Sequence, residues 1–142
     1  MGCTSSSTAS IPQNLTELIP LPNPNGKKTI VIVGASIAGF TVGEYLWNDF
    51  NVVFIDQKDH YEYVPGSIKS ASDNTWHDKF QILYKDAVAG HKNKFSFIQG
   101  RLANVQKDAN VIQILQANGR YAQASYDILI LCTGFNYEAP IK

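Results

Sequence analysis

The stretch TIVIVGASIAG, residues 29–39, decides how this chain folds. It opens with a β-branched run, which is typical of a strand buried on both faces of a parallel sheet. From Ile37 to Trp47 the apolar residues recur at the spacing of one helical face. A second buried strand follows at residues 52–55. The order strand, helix, strand predicts one βαβ unit with a right-handed crossover.

The rest of the chain extends this unit. Residues 60–72 are rich in turn formers, and we expect a helix from Trp76 to about Ala89 and a third strand at residues 95–98. Three short alternating segments predict an antiparallel meander at residues 102–106, 111–115 and 121–125, and a last buried strand spans residues 127–132. The sequence therefore predicts an α/β, Rossmann-like three-layer fold, with a parallel sheet, a helix layer and a small meander.

The composition excludes several classes of function. The chain has 142 residues, the length of one domain, and twelve Lys and Arg balance twelve Asp and Glu. That balance argues against nucleic acid as a partner, because binding phosphates requires a basic excess. The apolar runs are strand-sized and far shorter than the roughly 20 residues of a membrane-spanning helix. Cys3 and Cys132 form no C-x-x-C pair, and the histidines lack ligand spacing, so we predict no metal site.

Residues 34–39, GASIAG, lie where a dinucleotide-binding fingerprint belongs, after a strand and at the start of a helix. Gly34 would make the tight turn, and Gly39 would let helix and strand pack closely. The helix N-terminus would then offer its unpaired N–H groups to a pyrophosphate. Ser36 occupies the place of the middle glycine. The alternative is a glycine-rich turn between strand and helix that binds no ligand.

Two further signals point to the same edge of the sheet. Asp56 ends the second strand about 20 residues after the glycines, where an acidic side chain holds a ribose and disfavours a 2′-phosphate. A single aspartate at a strand end is otherwise a solvated turn residue. Thr133 and Gly134 end the last strand and would place small groups beside the same crevice.

Three stretches carry a family resemblance: TIVIVGASIAG, IDQKDHYEYVPGS (residues 55–67) and YDILILCTG (residues 126–134). Residues 29–142 resemble the first half of the apoptosis-inducing-factor-like and ferroptosis-suppressor-protein-like FAD-dependent NAD(P)H oxidoreductases, in the pyridine nucleotide-disulfide oxidoreductase superfamily. More distantly they resemble type II NADH dehydrogenases. The resemblance implies an FAD-binding domain over residues 29–142, NADH or NADPH as co-substrate, and a quinone as electron acceptor.

The resemblance also implies cofactor-binding residues, although it identifies no catalytic residue. The pyrophosphate of FAD would be wrapped by Gly34, Ala35, Ser36, Ile37 and Ala38, with Gly39 completing the fingerprint. Asp56 would hold the adenosine ribose, Lys69 would contact the cofactor, and Leu102 would lie against the adenine. Pro65, Thr133 and Gly134 would lie near the cofactor.

The chain departs from the family in two ways. It lacks the cysteine pair that the disulfide-reductase branch carries beside the flavin. Family members also continue with a second nucleotide-binding fold and a return segment that completes the FAD site, so we expect an incomplete fold that is inactive on its own. The alternative function is a truncated, non-catalytic module, either one that binds a nucleotide or a membrane-tethered interaction module.

The first residues, MGCTSS, match a myristoylation motif, in which Gly2 is acylated after Met1 is removed. Cys3 beside it is a natural palmitoylation site, and the second chain would make membrane attachment stable. Residues 1–28 are rich in small residues and prolines, which predicts a flexible tether with a possible amphipathic turn at residues 15–19. We expect a cytoplasmic protein held at a membrane surface. The alternative is a disordered start without lipid.

Overall fold

A computed structural model of the chain describes residues 16–21, 23, 26–70, 72–79, 81–92 and 94–134. Within this part, the elements in chain order are β1 (Thr16–Leu18), β2 (Thr29–Val33), α1 (Ile37–Leu46), β3 (Asn51–Asp56), β4 (His60–Glu62), α2 (Val64–Ser70), a 3-10 helix (Asn74–Lys79), β5 (Gln81–Leu83), α3 (Tyr84–Gly90), β6 (Phe95–Gln106), β7 (Val111–Gln116), β8 (Tyr121–Ser125) and β9 (Ile128–Leu131).

The main sheet has seven strands in the order β1-β8-β7-β6-β3-β2-β9. Strands β9, β2, β3 and β6 run parallel, and β7 and β8 add an antiparallel meander. The 12-residue strand β6 belongs to both parts, because its first residues pair with β3 and its later ones with β7. This topology confirms the predicted Rossmann-like α/β fold, with a parallel sheet and a small meander.

The core lies on both faces of the parallel strands. Alternate residues of β2 point to opposite sides, as the two-residue period of a strand requires. Ile30 and Ile32 face α1 and α3, where they pack with Phe54, while Val31 and Val33 face the meander. All five residues of β2 are buried. Burial on both faces explains why this strand is a continuous β-branched run rather than an alternating pattern.

The segment between β3 and β6 differs from the prediction. The helix expected from Trp76 to about Ala89 is replaced by the 3-10 helix, β5 and the shorter helix α3. Strand β5 pairs antiparallel with β4, so residues 60–62 and 81–83 form a small separate sheet. Pairing between segments that lie far apart in sequence overrode the local helical pattern here, and such pairing leaves little trace in either segment alone.

The last part of the predicted N-terminal tether contains a strand. Strand β1 pairs in parallel with β8, and Ile19 N–H donates to the carbonyl oxygen of Gln123 at 2.9 Å. Leu21 packs against the core on the meander side. The pairing uses backbone groups at the open edge of β8, so it does not need the alternating side-chain pattern that marks a strand in a sequence. Residues 1–15 lie outside the described residues.

Candidate functional site

Gly34 makes the turn at the end of β2. Its φ is +95°, a region that side chains other than glycine rarely adopt. A Cβ at this position would lie 2.2 Å from the carbonyl oxygen of Cys132, just after β9. The Gly34 N–H donates to the carbonyl oxygen of Ile55 at 2.8 Å. The turn thus sits at the meeting point of three parallel strands, and only glycine fits there.

Gly39 lets α1 approach this turn. A Cβ on Gly39 would lie 1.8 Å from the carbonyl oxygen of Gly34 and 3.3 Å from Cγ2 of Ile32. Gly43, one helical turn later, was not singled out from the sequence. Its Cβ would lie 2.2 Å from the Phe54 ring. Two glycines on one face of α1 therefore set how closely the helix packs on the sheet.

The N-terminus of α1 is open. Ser36 is the N-cap residue, but its side chain makes no capping hydrogen bond, and the first turn contains no acidic residue. Ser36, Ile37 and Ala38 are exposed. The first N–H groups of a helix have no partner within it, and together they carry a partial positive charge. This helix start can therefore bind an anion such as a pyrophosphate.

Asp56 lies beside the glycine turn. Its Oδ2 accepts a hydrogen bond from Ala35 N–H at 2.8 Å, and its Oδ1 accepts one from Lys58 N–H at 3.0 Å. Each oxygen of an ionised carboxylate can accept about two hydrogen bonds. The half-buried carboxylate is thus fixed by the backbone on both oxygens and keeps capacity for the hydroxyls of a ribose.

A crevice of about 220 Å³ opens next to Asp56. Four residues named from the sequence line it, namely Gly34, Asp56, Leu102 and Thr133, together with five others: Val33, Ile55, Gln57, Gly100 and Arg101. The structure therefore places the turn, the carboxylate and the proposed adenine contact around one cavity. Their roles toward a cofactor stay predictions.

Arg101 and Gly100 were missed by the sequence reasoning. Gly100 allows β6 and β7 to approach at the crevice wall, since its Cβ would lie 2.5 Å from Cγ2 of Ile114. The register shifts between Leu102 and Asn104, and such a bulge re-aims side chains next to a site. The only sequence signal was the Gln-Gly pair that precedes Arg101.

Lys69 does not line this crevice. It lies on α2, where its Nζ sits 4.0 Å from the ring centre of Trp76 in a cation–π contact. Pro65, on the same helix, is exposed. Gly134 is exposed with a φ of +66°, and Gly2 and Cys3 lie outside the described residues.

Tyr84 was also missed. It begins α3, is 2% exposed, and its hydroxyl donates to the carbonyl oxygen of Ala35 at 3.0 Å. Burial, followed by the nearby Asp56 carboxylate and Tyr61, raises the pKa of Tyr84 above its ordinary value. Tyr84 also lines an apolar cavity of about 380 Å³ between α1 and α3, together with Tyr61 and Phe40.

No group of three His, Cys, Asp or Glu side chains in the described part of the chain could hold a metal ion. No described helix combines the length and apolar character that crossing a membrane requires.

Comparisons with known proteins give a fold. No family model matches the chain, and no curated protein matches its sequence. Its structure is similar to NDH2 from Plasmodium falciparum in complex with NADH, with 16% identity and a TM-score of 0.70 over 80% of this chain and 23% of that one. It is also similar to the reduced CoADR-RHD from Bacillus anthracis, with 17% identity and a TM-score of 0.70 over 82% of this chain and 22% of that one. The sulfide:quinone oxidoreductase from Aquifex aeolicus is similar as well, with 21% identity and a TM-score of 0.61 over 77% of this chain and 25% of that one.

At these identities the likeness establishes the fold. The chain spans about a quarter of the length of the solved structures it matches, at 22% to 25% of each. It covers one segment of each of them.

Proposed function

We propose that the chain is the FAD-binding portion of an NAD(P)H-dependent flavoprotein oxidoreductase. The observation that carries this proposal is the hydrogen bond between Asp56 and Ala35, because it joins the glycine turn to the acidic end of the neighbouring strand. Those two features hold the phosphates and the ribose of a dinucleotide in folds of this type. Both belong to the crevice edge of a Rossmann-like sheet, where such sheets bind their ligands.

The residues present fit the adenosine half of FAD. The N–H groups at residues 36–38 would bind the pyrophosphate, since the Ser36 side chain does not cap the helix. Asp56 would accept hydrogen bonds from the ribose hydroxyls, and Leu102, which lines the same crevice, would contact the adenine. This arrangement needs close contact between backbone segments. A Cβ at Gly34 would clash with the Cys132 carbonyl oxygen, and one at Gly39 would clash with the Gly34 carbonyl oxygen.

Bound FAD would supply the redox chemistry, which is to accept a hydride from NADH or NADPH and pass the electrons on. The protein's part is to bind and orient the cofactor. The neighbours support this reaction by their names alone, since one is in complex with NADH and another is a sulfide:quinone oxidoreductase. We propose a quinone as the acceptor. The reaction is assigned to a full-length form in which this chain supplies the FAD site.

We also propose that acylation at Gly2 and Cys3 holds the protein on the cytoplasmic face of a membrane. The sequence MGCTSS supports this proposal. A lipid anchor would bring the protein to the layer in which an apolar quinone dissolves. One acyl chain binds membranes weakly and two bind stably, so both residues are needed for lasting attachment.

The visible spectrum of the longest natural product containing this chain tests the oxidoreductase proposal. We expect bound flavin absorbance that NADH or NADPH bleaches anaerobically and that a soluble quinone restores. Flavin that stays oxidised with both reductants would contradict the enzyme and favour a non-catalytic nucleotide-binding module. A product that carries no flavin and takes up none would contradict the cofactor.

A further inference from the structure

The backbone of Ala35, the residue after Gly34 in the glycine turn, is held through both its N–H and its carbonyl group. Its N–H donates to Oδ2 of Asp56 at 2.8 Å, and its carbonyl oxygen accepts from the Tyr84 hydroxyl at 3.0 Å. Ala35 is fully buried, at 0% exposure. A buried carbonyl group that loses its hydrogen bond is destabilised, so the Tyr84 bond constrains where this peptide can lie.

Tyr84 itself is fixed in place. Its ring stacks on Phe97 with 4.4 Å between ring centres, and its backbone N–H donates to the carbonyl oxygen of Asp59 at 2.9 Å. Its phenol remains a donor over a wide pH range, because burial and the Asp56 carboxylate both oppose ionisation. The Tyr84 hydroxyl therefore reaches the turn from a side chain and a backbone that their neighbours hold in place.

We propose that Tyr84 is a positioning residue for the glycine turn. It holds the Ala35 carbonyl, and with it the backbone of Ala35, so that the N–H groups at the start of α1 face the pyrophosphate and Asp56 faces the ribose. Tyr84 acts through Ala35, since it lies outside the set of residues that line the crevice. The inference rests on the proposed binding of FAD.

The Tyr84→Phe variant removes the hydroxyl and keeps the ring. The matched control is Tyr61→Phe, which removes a hydroxyl from a half-buried tyrosine in the wall of the same apolar cavity. Both variants are compared with the wild-type chain at temperatures below the onset of thermal unfolding. Circular dichroism determines that onset for each protein. The Phe97 stack and the fold should persist in both, because the aromatic rings remain.

Two readouts test the inference. Hydrogen exchange followed by NMR, without ligand, reports how firmly the Ala35 amide is held. Calorimetry with FAD and with ADP reports binding. For Tyr84→Phe we expect faster exchange at Ala35 and about threefold to tenfold weaker binding of both ligands, the range that one lost hydrogen bond produces. Tyr61→Phe should match the wild type in both measurements.

The outcomes separate the two proposals. Equal Ala35 exchange in Tyr84→Phe and Tyr61→Phe would overturn the positioning role. Unchanged FAD and ADP affinities in Tyr84→Phe would overturn it as well, while leaving the proposed function intact. A longest natural product that binds neither ligand would refute the proposed function, and the exchange rates of the chain would then decide alone whether Tyr84 holds the turn.

Discussion

Oδ2 of Asp56 lies 2.8 Å from the backbone nitrogen of Ala35, a residue 21 positions earlier in the chain. The bond ties the end of β3 to the turn that follows β2. The Asp56 carboxylate, which we propose to hold the ribose, therefore also fixes the backbone beside the proposed pyrophosphate site.

Replacing Asp56 by alanine should weaken FAD binding by roughly 1.5–3 kcal/mol, since hydrogen bonds to a charged group are lost. Asp127→Ala is the matched control. Asp127 Oδ2 accepts from Thr29 N–H at 2.7 Å, so it makes a similar carboxylate bond to the backbone at the other end of β2. Calorimetry should show the loss only for Asp56→Ala. Equal losses in the two variants would mean that Asp56 acts on the fold alone.

Gly39→Ala should abolish flavin retention. The added methyl group would lie 1.8 Å from the Gly34 carbonyl oxygen, so α1 must move away from the turn. Overpacking of this kind costs about 1–3 kcal/mol of folding free energy. Gly90→Ala is the control, because a Cβ at Gly90 in α3 meets no atom within 4 Å. Urea unfolding and flavin absorbance are the measurements, and a Gly39→Ala chain that retains flavin normally would show that close approach is not required.

The stability of the chain should fall at high pH partly through Tyr84. Its pKa in the folded state is raised above the ordinary value of 10.0, so the unfolded chain loses this proton first. Fewer protons are then bound in the unfolded state, and the free energy of unfolding declines as pH rises above 10. Between pH 8 and 11 the wild type should therefore lose more stability than Tyr84→Phe.

Urea unfolding of both proteins at the two pH values measures this difference. The remaining tyrosines are shared, so their contributions cancel in the comparison. Parallel declines in the two proteins would show that Tyr84 ionises as readily in the folded state as in the unfolded one.

Membrane attachment should follow the order wild type, Cys3→Ser, Gly2→Ala. Gly2→Ala removes the myristoylation site, and palmitoylation that needs prior membrane contact is then lost too. Cys3→Ser keeps one acyl chain, which binds membranes only marginally. Fractionation of variants tagged at the carboxyl end gives the order. Equal partitioning of wild type and Gly2→Ala would refute the anchor.

The sequence predicted those features that arise from strand burial and from parallel order. The β-branched residues 29–33 and the run ending at Asp56 indicated two adjacent parallel strands, whose carboxyl ends must meet. That geometry brings Asp56 to the glycine turn. The same reasoning could not place Tyr84, because its bond to Ala35 spans 49 positions and follows no motif. Nor could it predict strands β1 and β5, which depend on backbone pairing with distant partners.

The prediction for Lys69 shows a further limit. A resemblance supplied its role, and a lysine on an exposed helix can reach more than one partner. In the structure it stacks on Trp76, seven positions on in the sequence, outside the crevice that Asp56 lines. A contact between Lys69 and the cofactor therefore stays a prediction.

Titration of the purified chain with FAD, with ADP and FMN as competitors, tests the central claim most directly. The claim is that Asp56 and the GASIAG turn grip the adenosine and pyrophosphate half of the cofactor. We predict saturable binding of one FAD per chain, displaced by ADP and unaffected by the same concentration of FMN, which lacks the adenosine. Absence of FAD binding, or displacement by FMN as readily as by ADP, would contradict the account.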